Sequence, residues 1–188
     1  MNTELKKRII TSIGLLSLLT TMYLYSFIMI GALLIIGIII WIEFYALISK
    51  IIRGNKFQDI FFRFIFKSAS LLYLSTFVGF IFVIESHYID LKIYLLYSVL
   101  VAILSDIGGL VFGKTFKGKK LTKISPNKTI SGSIGSIVLS MVLIPIFYSE
   151  LIIYDLFTLI ILTIVISLVS QIGDLFISFL KRKAKVKD

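Results

Sequence analysis

Six stretches of this chain are apolar for long enough to cross the roughly 30 Å hydrocarbon core of a bilayer. They cover residues 9–25, 27–48, 68–84, 93–112, 130–147 and 157–180, and each predicts a helix. No Gly or Pro separates the first two runs, so the turn near Tyr25 and Ser26 is inferred from length alone. Lys6, Lys7 and Arg8 ahead of an apolar run also fit a signal peptide. No small-residue cleavage site follows and the hydrophobicity continues to Ile48, so the segment reads as a retained anchor.

Charge orients these helices. Every Lys and Arg except Lys92 falls in alternate connections: 6–8, 50–67, 114–128 and 181–187. The positive-inside rule places both termini and the two long basic loops in the cytoplasm. Glu85, His87 and Asp90, then Glu150 and Asp155, fall in the opposite loops, and Trp41 and Tyr45 read as an interface belt. The expected fold is therefore all-α: a polytopic transmembrane bundle of about six spans forming a single membrane domain over residues 1–188. Composition agrees, with 58% hydrophobic residues. The net charge of +10 is accounted for by the loops beside the spans, so nucleic acid is not an expected partner. With no cysteine there is neither a disulfide nor a thiolate metal site.

Against this background Asp106 and Asp174 stand out, because each lies inside an apolar run. A charge at membrane depth costs roughly 2.5–3.5 kcal/mol or more, so it needs a partner. Asp106 precedes Lys114 by about 12 Å of helix and Asp174 precedes Lys181 by about 10 Å, which predicts similar depths near the cytoplasmic face. Ser105, Gly109 and Gly113 form a small-residue stripe that admits a close helix neighbour, inside one chain or in a homodimer. Ser167, Ser170, Asp174, Ser178 and Lys181 share one helical face; the serines serve equally as interhelical hydrogen bonds. Carboxylates from two helices suit Mg²⁺, which takes one or two protein carboxylates and leaves other positions to water and phosphate.

Six lysines lie between Lys114 and Lys128. Topology alone explains lysines in such a loop, but the order at its end is more informative. Pro126 fixes a turn, Ser125 and Thr129 are candidate caps for the next helix, and Lys128 arrives at that helix's positive end. A helix N-terminus and lysines together make an anion site. The string from Gly113 to Lys120 is not a P-loop, since Lys120 stands where Ser or Thr should bind the metal and no strand precedes it.

These segments carry a family resemblance. SDIGGLVFGKTFKGKKLTKISPNKTISGSIGS and SQIGDLFISFLKRKAKVKD resemble two signature stretches of the phosphatidate cytidylyltransferases, or CDP-diacylglycerol synthases. The likeness covers about residues 102–136 and 167–188. It implies an integral protein of the bacterial cytoplasmic membrane that transfers the cytidylyl group of CTP to phosphatidic acid, releases pyrophosphate and requires Mg²⁺. Residue by residue, it implies Lys128, Asp174 and Lys181 as catalytic, and Asp106, Asp174 and Asp188 as metal ligands. Ser125, Lys128, Thr129, Ser170 and Arg182 become candidate substrate contacts. The chain departs from the family pattern at Ile177, where a Glu is usual, and at Ile130 and Ser131, where another acid is usual. The family signature also continues past the equivalent of Asp188 with further metal-binding aspartates, so the expectation is a C-terminally truncated chain holding part of the metal site. Two other readings stay open: a non-catalytic membrane subunit whose basic loops attract anionic lipid, and a small ion-coupled transporter.

Overall fold

A computed structural model describes residues 3–122, 125, 128–151 and 155–186. Contacts divide the chain into two compact units, Met1–Lys92 and Ile93–Asp188. Among the described residues the only extended pairing is an isolated bridge between Lys120 and Thr129, and all regular structure is helical.

The first unit contains α1 (Thr3–Leu24), α2 (Ser26–Ile51) and α3 (Phe57–His87), followed by a 3₁₀ turn at Ile89–Leu91. The inferred break between the first two helices is present: Tyr25 adopts an extended backbone, φ −122° and ψ 104°. α2 packs antiparallel along α3, and α1 packs against α2. α3 begins at Phe57, well before the expected apolar run, so Arg63 and Lys67 are helical rather than loop residues. An apolar-run criterion stops at charges, whereas a helix carries them outward on long side chains.

α3 also ends later than expected, which changes the setting of Glu85. It is buried at 7% exposure, not in a loop. Lys92 Nζ donates to its Oε1 at 2.6 Å, and the Ser26 hydroxyl donates to the same oxygen. A cation so close makes burial of the carboxylate tolerable and pins the ends of α2 and α3 together.

The second unit contains α4 (Lys92–Phe116), α5 (Ile130–Ser140), a 3₁₀ turn at Met141–Leu143, α6 (Ile144–Phe147) and α7 (Leu156–Lys183). Pro145 explains the interruption between α5 and α6, since it lacks the N–H that a continuous helix would bond and crowds the preceding turn. Asp155 caps α7 by accepting from the Thr158 hydroxyl and from the backbone of Phe157 and Thr158. Bonds from Thr158 above all hold its carboxyl below the usual range, so the cap is present above that range and lost as pH falls through the lowered value.

Among the described residues five segments are long and apolar enough to cross a membrane: Ser26–Ile51, Phe57–His87, Ile89–Phe116, Ile130–Phe147 and Leu156–Lys183. α1 is a sixth helix with a shorter apolar part, Ile10–Leu24. Most large aliphatic side chains point outward, as an integral membrane protein requires, and the buried core of the second unit is small. Hydroxyls supplement it. Tyr97 and Thr163 lie 2.5 Å apart, and Ser105 and Ser167 lie 2.9 Å apart, all four fully buried. These pairs set α4 and α7 parallel, each contributing about 0.6 kcal/mol.

α5 runs antiparallel to α4 and approaches it through glycines. A Cβ on Gly108 would lie 2.5 Å from the Gly135 carbonyl oxygen, and one on Gly132 would lie 2.7 Å from that of Gly109. The small-residue stripe therefore serves a contact within the chain. Gly108→Ala is expected to lower stability by about 1–3 kcal/mol, because the obstructing atom is backbone and has no rotamer to escape into. Thermal unfolding in detergent checks this, with Gly14→Ala as the control: nothing lies within 4 Å of its added methyl. Equal stability of the two variants would contradict the packing described.

Candidate functional site

The basic loop is folded back on itself. α4 ends at Phe116, and Lys117 turns the chain with a left-handed φ of 42°. The chain then pairs with its own return: Leu121 N donates to Lys128 O at 2.8 Å and Ile130 N to Lys119 O at 2.9 Å. Thr129 caps α5, its hydroxyl accepting from Gly132 N at 3.1 Å. Ser125 does not share that role. Its backbone bonds Thr122 and Lys128 and so shapes the loop instead.

This arrangement delivers Lys128 to α7. Its ammonium donates to Asp174 Oδ2 at 3.0 Å, joining the loop to a carboxylate distant in sequence. The two side chains are 30% and 50% exposed, so the pair is accessible rather than sealed. Both line a cavity of about 350 Å³ between α4, the loop, α5 and α7. Asp106 lines the same cavity, within electrostatic reach of Asp174 and Lys128. The expectation that both acids face one space is met.

Their offset along the two helices depends on the contact from which it is counted. Ser105 is level with Ser167. Counted from that pair Asp174 stands six residues, about 9 Å, further along than Asp106, and counted from Tyr97 and Thr163 only two residues, about 3 Å.

Of the other expected residues, Ser125 and Thr129 line the cavity. Ser170 is half-buried on α7, and Lys181 and Arg182 occupy that helix's last turn; none of the three lines the cavity. Asp188 lies outside the described residues, as do Lys123, Ile124, Pro126 and Asn127.

Gln171 was missed by reasoning from the serine stripe. It lines the cavity and donates from Nε2 to Ser133 O at 3.4 Å and Ser167 Oγ at 3.3 Å, while Ser133 Oγ donates to its Oε1 at 2.5 Å. The polar face of α7 that matters is thus Thr163, Ser167, Gln171 and Asp174. The signal was present: Gln171 follows Ser167 by four residues and precedes Asp174 by three.

Among the described residues no group of three or more His, Cys, Asp or Glu gathers to hold a metal. Two carboxylates on one open cavity are nevertheless a donor set that fits Mg²⁺, which retains water and phosphate in its remaining positions. The same cavity is poorly suited to stabilising the fold. Lys128→Met and Asp174→Asn are each expected to change unfolding stability by no more than about 1 kcal/mol, because exposed ion pairs contribute little. Denaturation of the two variants in detergent measures this, and a loss of 3 kcal/mol or more would show that the pair is structural.

Comparison with known proteins bears on the whole chain. The Cytidylyltransferase family matches residues 1–188. A phosphatidate cytidylyltransferase of Staphylococcus saprophyticus is 33% identical over 153 residues, covering 80% of this chain and 56% of the relative. The phosphatidate cytidylyltransferase of Staphylococcus aureus strain COL is 35% identical over the same length, with the same coverage of 80% and 56%. That of Staphylococcus haemolyticus is 41% identical over 98 residues, 50% of this chain and 37% of the relative. No solved structure matches. The chain thus spans about half the length of the curated relatives it matches. Matched from its first residue to its last, and with the acids and lysine of the resembling segments on one cavity, this chain belongs to the Cytidylyltransferase family.

Proposed function

We propose that this cavity serves transfer of the cytidylyl group of CTP to phosphatidic acid, yielding CDP-diacylglycerol and pyrophosphate. The observation that carries the reading is the convergence of Asp106, Asp174 and Lys128 on one open cavity. In the reaction a phosphate oxygen of the lipid bonds to the α-phosphorus of CTP while the bond from that phosphorus to the β-phosphate bridging oxygen breaks. No proton transfer to carbon or nitrogen is needed, so the chief task is neutralising charge on the polyphosphate.

Lys128 is placed for that task at the positive end of α5, where the helix dipole adds to its attraction for phosphate. Asp174 orients it, and binding of a nucleotide phosphate would draw the ammonium from one oxygen anion to another. Gly109 and Gly132 keep the cavity wall low where α4 and α5 meet. Gln171 fixes α7 against α5 and so holds Asp174 toward the loop. Mg²⁺ held by Asp106 and Asp174, when bound, supplies further neutralisation of the triphosphate.

The lipid substrate lies in the bilayer and the nucleotide in the cytosol, so a site opening beside the basic loop meets both. An ion path would instead call for acids near the midplane amid broken helices. Asp174 is paired with a loop lysine on a continuous helix.

The full chain, reconstituted in vesicles containing phosphatidic acid, is expected to convert labelled CTP to CDP-diacylglycerol only with Mg²⁺. Asp106→Asn and Asp174→Asn should each lower that rate at least about tenfold, some 1.4 kcal/mol in the barrier. Activity that neither substitution reduces would refute the site. Equilibrium binding of Mg²⁺ with CTP separates the enzyme from a non-catalytic subunit: the proposal expects binding that Asp174→Asn weakens, and its absence would favour the subunit.

A further inference from the structure

The first unit holds a second cavity, an apolar groove of about 490 Å³ between α2 and α3. It runs from Ile30 and Phe82 at one end to Trp41 and Leu71 at the other. That is about 16 Å of helix at 1.5 Å per residue, close to half the thickness of the hydrocarbon core and hence to the depth of one leaflet.

Two glycines open the groove, and helix packing does not require either. A Cβ on Gly79 would meet nothing within 4 Å, and one on Gly37 would touch only Val78, at 3.8 Å. The contrast with Gly108 and Gly132, where backbone blocks any side chain, is sharp. Glycine inside a helix is disfavoured by about 1 kcal/mol relative to alanine, so the space is kept at a cost. An unfilled apolar groove among hydrocarbon chains forfeits the contacts of its walls.

One end of the groove is charged. Lys67 lies one turn before Leu71 on the groove-lining face of α3, and Arg63 one turn before that. The Trp41 indole N–H donates to Lys67 O at 3.4 Å, and the Lys67 ammonium sits 3.3 Å from the centre of the Tyr45 ring. Among the described residues neither base forms a salt bridge. The aromatic residues hold the ammonium at headgroup level while leaving its charge uncompensated.

We propose that this groove binds one acyl chain of an anionic phospholipid, whose phosphate is held by Lys67 and Arg63. All of its residues belong to the first unit, and none is a residue assigned above to cytidylyl transfer.

The test uses the full chain in phosphatidylcholine vesicles carrying a trace of photoactivatable lipid, with a diazirine on the acyl chain and either a phosphatidylglycerol or a phosphatidylcholine headgroup. Mass spectrometry locates the labelled residues. The anionic probe is expected to label 30–41 and 71–82 at least about fivefold more than the zwitterionic one, as two bases beside an anionic headgroup imply. Lys67→Gln combined with Arg63→Gln should abolish that preference. Gly79→Leu should reduce labelling by both probes, since a side chain there occupies the groove and its Cβ meets nothing within 4 Å. Equal labelling by the two headgroups in the unsubstituted chain would overturn the proposal, as would labelling that Gly79→Leu leaves unchanged.

Discussion

The site depends on a carboxylate held on a membrane helix and answered by a lysine from outside that helix. Asp174 has no cation near it in sequence on the side facing the bilayer; its partner is Lys128, brought by the folded loop to 3.0 Å. Exposure of the pair keeps the interaction weak as a fastening. A weak fastening suits a charge that must exchange partners, whereas the sealed pair of Glu85 and Lys92 suits a permanent joint. Two ion pairs in one chain thus differ in purpose because they differ in access to water.

Backbone geometry and one side-chain cap position Lys128. Glycines let α4 and α5 touch, Thr129 caps α5, and pairing of residues 119–121 with 128–130 returns the chain to the cap. On the far side, buried hydroxyl pairs fix α7 beside α4, and Gln171 ties α7 to α5. The cavity is what remains where these contacts stop. Its walls are small residues and its open side carries the charges, an arrangement suited to a polyanion approaching from water.

Much of this was legible in the residues. Apolar runs gave the helices and charge alternation gave the loops, because a bilayer imposes both requirements on composition. The small-residue stripe on α4 correctly implied a close neighbour. Helix ends were less legible: α3 extends past its apolar run at both ends, since Arg63 and Lys67 tolerate a helical position and Glu85 is neutralised by a residue beyond the turn. Gln171 escaped notice because an amide has no charge to mark it in an apolar run. The groove between α2 and α3 could not be read at all, since it arises from pairing of two helices whose glycines carry no periodic signal.

The natural chain contains no cysteine, so a pair can be introduced without interference. Lys128→Cys combined with Asp174→Cys, treated in membranes with a short bifunctional maleimide, asks directly whether the loop closes on α7. The expected result is an efficient intramolecular link between positions 128 and 174. Separate modification of both cysteines with no link between them would contradict the structure of the site.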